Sequence, residues 1–491
     1  MKHFKTSTFI LLLASAFALH ASKPNILMIA IDDQNDWIGC LGGHPQAKTP
    51  NLDRLAARGT LFTNAHCQAP LCNPSRSSVL TGLRPSTTGI YGLLPGIREV
   101  QSLKNFITLP QALHAAGYYT FNCGKIYHDG SINPKDRAAE FDEWGTPGPM
   151  PHPKTPIVGI FKHAAMDWGV FPERDEDNAD WMIASSAISE IEKLPKDKPW
   201  FIGCGFRLPH VPMYASKKWF DLFPDSGLQM PPVKEDDRDD IPAFASYLHW
   251  KLPEPRLSTL REHHQWRPIV RAYLACTAFM DSQVGRVLEA LEKSGQADNT
   301  IVVVWGDHGW HLGEKLITGK NTLWERSTRV PFIWAGPGVT KGQHCKSAVE
   351  LLDIFPTLVD MLGLDQRTEL EGHSLAPQLK DANAARQFPA ITTHNQNNHS
   401  IRTDKWRYTR YADGSEELYD ETKDPNEWFN LAADSTYDAT KKQLAQWLPK
   451  INTHAVPGSA HRILTYDDGE TPIWEGGAID KKTLLPEAAL R

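Results

Sequence analysis

At 491 residues, with 41% hydrophobic and 22% charged residues, the chain has ordinary globular usage and room for two or three structural units. A net charge of −6 and the lack of a long Lys/Arg run exclude the electrostatic footprint of a nucleic-acid binder. No internal repeat or low-complexity tract interrupts it, and 34 Gly and 36 Pro mark many turns in an ordered chain.

Lys2, His3 and Lys5 precede an apolar run from Phe9 to Leu19, followed by the small residues Ala21 and Ser22. This pattern predicts a signal peptide over 1–22. A membrane span needs about 20 apolar residues, and Lys23, Pro24 and Asn25 end this run early. The mature chain is therefore expected to be secreted or periplasmic, with no membrane attachment after cleavage. Its seven cysteines (Cys40, Cys67, Cys72, Cys123, Cys204, Cys276 and Cys345) are scattered and odd in number, so at least one stays unpaired. Most read as small buried apolar side chains.

Residues 26–31 form a continuous apolar run that stops at Asp32 and Asp33, as in a central strand buried on both faces with acids at its carboxyl end. Pro50, Leu52, Leu55 and Ala56 predict a helix over 50–58, closed by Gly59. A second helix, over 108–117 with Gly117 as its cap, leads into a strand at 118–123. Residues 129–176, with five prolines between Pro147 and Pro156, predict an ordered excursion over the surface that shapes access to a substrate. Trp181, Ala184, Ile188 and Ile191 mark a helix, 200–206 a strand, 271–293 the longest helix, and 300–305 a buried strand ending in Gly306, Asp307 and His308. Strands alternating with helices predict an α/β fold with a mostly parallel sheet and ligands at its carboxyl edge. Past about residue 385 the pattern changes to short antiparallel strands at 399–402, 405–411 and 417–419. The expected division is a leader (1–22), a catalytic domain (23–385) and a C-terminal α+β subdomain (386–491) with a short antiparallel sheet.

The chemistry concentrates at strand ends. Asp32 and Asp33 after one buried strand, with Asp307 and His308 after another, offer three carboxylates to a hard cation, for which calcium is better suited than zinc. Cys72, Pro74, Ser75 and Arg76 are followed by Leu80, Thr81 and Gly82. Pro74 fits the first turn of a helix, which places residue 72 at an amino-terminal dipole that favours an anion.

This segment resembles the sulfatase signature C-x-P-S-R followed by L-T-G, and the whole chain from Asn25 to Asp424 and Pro425 is similar to that family. The resemblance implies an alkaline-phosphatase-like fold and a Cys72 oxidised to formylglycine by a maturation enzyme that reads this peptide. It also implies calcium held by Asp32, Asp33, Asp307, His308 and residue 72. An aldehyde hydrate has one hydroxyl to attack sulfur and another to expel sulfate, which a thiol cannot do. Gly124, Lys125 and His128, with Arg207 and His210, resemble the iduronate-2-sulfatase-like branch; there the pattern implies that Lys125 and Lys320 stabilise sulfate oxygens, Arg76 holds the site in place, His210 protonates the leaving alcohol and His128 takes a proton afterwards. His308 stands where many sulfatases have Asn. The substrate implied is a sulfated oligo- or polysaccharide, such as a 2-O-sulfated uronate or an algal unit, attacked from its end. Two other readings stay open: a phosphodiesterase or phosphonate monoester hydrolase of the same superfamily, and a non-catalytic carbohydrate-binding protein with an unmodified Cys72, for which 16 Trp and 12 Tyr offer stacking surfaces.

Overall fold

The computed structural model describes residues 23–194, 198–467 and 469–480; the leader expected at 1–22 lies outside them. Eight strands make the main sheet: β1 (Asn25–Ile31), β2 (Thr60–Phe62), β3 (Tyr119–Gly124), β4 (Glu143–Trp144), β5 (Trp200–Phe206), β6 (Thr300–Gly306), β7 (Phe332–Ala335) and β8 (Gln343–Cys345). Their spatial order is β8-β2-β7-β6-β1-β5-β3-β4. β1 pairs parallel with both β6 and β5, Ile29 lying opposite Val304 and Cys204. Only β7 runs antiparallel, between β6 and β2.

Every residue of β1, β5 and β6 is buried, because helices cover both faces. Leu27, Ile29 and Ile31 point into a core shared with α1 (Pro50–Ala57), α4 (Ala179–Lys193) and α5 (Trp266–Lys293). Ile26, Met28 and Ala30 point into the opposite core with α2 (Cys72–Thr81), α3 (Leu109–Ala115) and α6 (Ile354–Met361). Each such Ile or Leu adds roughly 1.5–3 kcal/mol by leaving water, so the strand is held from both sides and its carboxyl end is fixed.

Two expectations need adjustment. The long helix begins at Trp266 rather than near Arg271, with Pro268 inside its first turn, where a missing N–H is harmless. The stretch 129–176 is more than a surface excursion: Glu143 and Trp144 join the sheet beside β3, and Phe161, Met166 and Trp168 enter the core. Its apolar residues anchor irregular backbone, which leaves no periodicity to read. All seven cysteines are free, six of them buried. Beyond residue 385, β9 (Ala390–Thr393), β10 (His399–Arg402), β11 (Trp406–Arg410) and β12 (Glu416–Asp420) form an antiparallel sheet in sequence order. No helix among the described residues is long and apolar enough to cross a membrane.

Candidate active site

The carboxyl ends of β1 and β6 are neighbours, so Asp32 and Asp33 meet Asp307 and His308. Asp33 adopts φ 60°, an unfavourable backbone for a residue with a Cβ. It is held there by its N–H on Asp307 Oδ1 (3.0 Å) and by the Tyr273 hydroxyl on its carbonyl (2.7 Å). α2 starts at Cys72, no side chain caps its first turn, and all ten of its residues are buried. Ser75 Oγ donates to the Asp307 carbonyl (2.6 Å), which docks the helix start on the strand end.

Ten residues singled out in the sequence come together here: Asp32, Asp33, Cys72, Arg76, Lys125, His128, His210, Asp307, His308 and Lys320. Lys320 Nζ and His308 Nε2 each lie 3.2 Å from Cys72 Sγ, and Lys125 Nζ 3.8 Å away. His128 bonds to the same side chain. Arg76 Nε donates to Asp307 Oδ2 (2.8 Å) and Nη2 to Asp32 Oδ1 (3.2 Å), while its plane faces Trp305. Lys125 bonds Asp32, and Lys320 bonds Asp33 Oδ1 (2.6 Å). His210 Nε2 is 3.9 Å from Asp33 Oδ2.

Burial favours neutral groups, yet Lys125, Lys320 and His308 hold the Cys72 thiol well below its ordinary value. Asp32 also stays well below the usual carboxylate range: burial and Cys72 raise it, but Lys125, His210 and Arg76 outweigh them. For Asp307 burial wins and pushes it up to about 7. Burial lowers His308, but Asp307 and other negative neighbours bring it up to about 9. His128 is lowered, burial being the main cause. The helix start therefore presents a focus of positive charge on residue 72 with carboxylates just behind it.

That donor set fits a hard divalent cation. Ligand atoms of Asp32, Asp33, Cys72 and His210 lie within 4.8 Å of one another, as do those of Asp32, Cys72, Asp307 and His308. Asp33 Oδ2 is buried with no hydrogen-bond partner among the described residues, an arrangement that is costly unless something positive meets it. His308 Nδ1 donates to the Gly309 carbonyl (3.1 Å), which leaves Nε2 facing the carboxylates as the atom that would become a ligand on exchanging its proton for a cation. Cys72 Sγ marks where the oxygens of an aldehyde hydrate would stand.

Some supporting residues carried no sequence signal. Asp180, at the start of α4, accepts from the backbone N–H of Arg207 (2.7 Å) and Leu208 (3.2 Å) and so fixes the turn that presents His210. Arg207 in turn grips Asp129 (2.6 and 2.9 Å), tying that turn to the residue after His128. A lone acid in an amphipathic helix looks like any other surface acid until its partners are known.

The family model described as Sulfatase matches residues 24–364, and one described as N-sulphoglucosamine sulphohydrolase, C-terminal, matches 306–454. A protein named Sulfatase from Formosa agariphila is 40% identical over 88% of this chain and 87% of its own length. Iduronate 2-sulfatase from Mus musculus is 31% identical over 69% of each chain. A solved structure in complex with its substrate D-glucosamine-2-N,6-O-disulfate superposes with a TM-score of 0.70 at 22% identity, covering 87% of this chain and 97% of that one; this last likeness bears on the fold alone.

Proposed function

The chain belongs to the sulfatase family and is a sulfuric ester hydrolase, and from that premise we propose that it removes sulfate monoesters from a carbohydrate, acting at the chain end on a 2-O-sulfated uronate or an algal polysaccharide unit. The observation that carries this reading is the convergence of Lys125, Lys320 and His308 on the side chain of residue 72. The name of the mouse relative, iduronate 2-sulfatase, supports the substrate class and the branch.

In this reading a maturation enzyme oxidises Cys72 to formylglycine, and Asp32, Asp33, Asp307 and His308 hold calcium. The aldehyde hydrate would supply an oxygen nucleophile, and calcium would neutralise charge on sulfate oxygens. The chain's own residues do the rest. Arg76 locks Asp32 and Asp307 at fixed separation. Lys125 and Lys320 are kept protonated by the acids beside them and draw electron density from the sulfate. His210, half-exposed at the mouth, holds the proton that the leaving alcohol takes, and His128, kept neutral by burial, receives one from the side chain of residue 72. With the leader expected at 1–22, the enzyme works outside the cytoplasm.

Intact-mass measurement of the peptide around residue 72 tests the conversion; an unmodified thiol in fully active enzyme would end it. His210→Ala tests the acid. Sugar sulfates should lose about 10²–10⁴-fold in kcat, and aryl sulfates, whose phenolate leaves without help, far less. Equal losses would move the role to Lys320.

A further inference from the structure

Near the Cys72 cluster, a charge pair between buried Glu254 and partly buried Arg462 has incomplete hydrogen bonding. Glu254 is 3% exposed, and its Oε2 lies 3.6 Å from Arg462 Nη2. Among the described residues, neither Glu254 Oε2 nor Arg462 Nε has a hydrogen-bond partner. A partly exposed ion pair at this separation contributes little to stability, and its position bears on what else it does.

Its position is informative. The Glu254 side chain packs on Gly319, where an added Cβ would meet Glu254 Cγ at 2.6 Å and where φ is +93°. Thr318 Oγ1 clamps the same two segments together through the Pro255 carbonyl (2.6 Å). The residue after Gly319 is Lys320, 3.2 Å from Cys72 Sγ. Arg462 arrives from the other side. Ala460 is bridged to Leu94, Leu93 N–H donates to the His461 carbonyl (3.2 Å), and this 92–95 turn takes two bonds from Asn73 Nδ2, to Gly92 O (3.1 Å) and Pro95 O (2.9 Å). Asn73 is the neighbour of Cys72. Both His461 (φ 64°) and Arg462 (φ 75°) are left-handed, a strained pair of the kind that persists at ligand sites. The exposed His163, on the 129–176 excursion, feels the charges of Glu254, Arg462 and His210 together. The pair thus lies between the segment leading to Lys320, the turn beside Cys72 and the loop that carries His163.

We propose that Glu254 and Arg462 form a recognition subsite for the sugar that carries the scissile sulfate, Arg462 binding a second anionic substituent on that sugar and Glu254 accepting from an adjacent hydroxyl. The proposal rests on the carbohydrate-sulfatase reading above and narrows it to doubly anionic sugars. A guanidinium fork matches a carboxylate or a sulfate bidentately. Such a sugar supplies both missing partners at once, whereas a sugar without the second anion leaves Arg462 unsatisfied, which is how buried polar groups reject the wrong ligand.

The test is kcat/KM on a 2-O-sulfated uronate disaccharide, its uronate methyl ester and 2-N,6-O-disulfated glucosamine. It is run for the wild type, Arg462→Gln, Glu254→Gln and the exposed control Arg174→Ala, with thermal melts and an aryl sulfate alongside. The wild type should prefer at least one dianionic sugar over the ester by about 10²-fold. Arg462→Gln should erase that preference through KM, and Glu254→Gln should weaken all three sugars. Preference for the uronate alone assigns the second anion as carboxylate, and for the glucosamine alone as sulfate. A wild type without preference, or an Arg462→Gln enzyme that loses the ester and the dianionic sugars equally, overturns the subsite while aryl sulfate hydrolysis keeps the sulfatase reading intact. No wild-type turnover of any sulfate ester would instead defeat that underlying reading. Should Arg462→Gln fail to fold, Arg462→Lys keeps the charge and loses the fork; an undiminished preference in that variant overturns the proposal too.

Discussion

Two clusters of buried charge flank the segment that follows Lys320. Lys320 belongs to the one around Cys72, and Glu325 to another around Arg407, on β11. The second cluster spreads its contacts over several groups: Arg407 is fully buried, and its three nitrogens lie against Ser400 Oγ (2.8 Å), Thr328 Oγ1 (3.0 Å) and Glu427 Oε1 (2.6 Å), with Glu325 and Glu421 beside them. Arg402 adds a further bond to Glu325 (3.1 Å). The Cys72 cluster converges on one atom; both clusters leave buried atoms without a hydrogen-bond partner among the described residues, Asp33 Oδ2 and His128 Nδ1 in this one, Arg407 Nε, Glu421 Oε1 and Glu427 Oε1 in the other. Both are dense and buried. Burial, charge number and unpartnered atoms therefore do not identify a reactive site; what identifies it is convergence of charged groups on one nucleophilic side chain.

The sharpest way to break this contrast is Cys72→Ala, which should remove turnover by on the order of 10⁴–10⁶-fold while moving the melting temperature by no more than a few degrees. Retained activity would make the Cys72 cluster as structural as the other. Arg407→Met should do the reverse, destabilising the fold by about 3–5 kcal/mol because the buried Glu421 and Glu427 lose the guanidinium between them, with kcat per folded molecule unchanged. Denaturant midpoints and active-site titration separate the two quantities.

Calcium sharpens the comparison further. Restored to chelated protein at 100 times its Kd, it should stabilise by about 2.7 kcal/mol, an effect that Asp33→Asn abolishes and Arg407→Met preserves. The smallest effect concerns pH. Burial pushes Glu427 up to about 7 despite Arg407 and Lys315, so the folded chain holds a proton that the unfolded chain has released above its own value near 4.5. The associated stability is present below that value and is lost as pH rises through about 7. Glu427→Gln should flatten this decline by about 1 kcal/mol per pH unit in denaturant midpoints measured between pH 5 and 7. An unaltered slope would mean that another acid carries it.

The parts legible in the sequence are those with local causes. β1, β5 and β6 are buried on both faces, so they read as unbroken apolar runs. The acids at the ends of β1 and β6 and the Cys72 segment were visible because their spacing is short. β7 was not, since Phe332 to Ala335 gives no hint of direction; its antiparallel course depends on where β2 and β6 already lie. β4 is two residues at an edge, below any periodic signal. The Arg407 cluster and the Glu254–Arg462 pair join charges from distant turns, and each residue alone resembles solvated surface. Contacts of that kind exist only once the chain has folded.

The complete burial of α2 imposes an order in time. Cys72 is 1% exposed, and its helix is enclosed on every side, so a catalyst that must grasp the surrounding peptide can reach it only while this stretch is still extended. Under the proposed conversion of Cys72, folding would act as a deadline. A chain that closed with its thiol intact would be sealed as an inert copy, and the active fraction of a preparation would record the race between oxidation and collapse in the cell that made it.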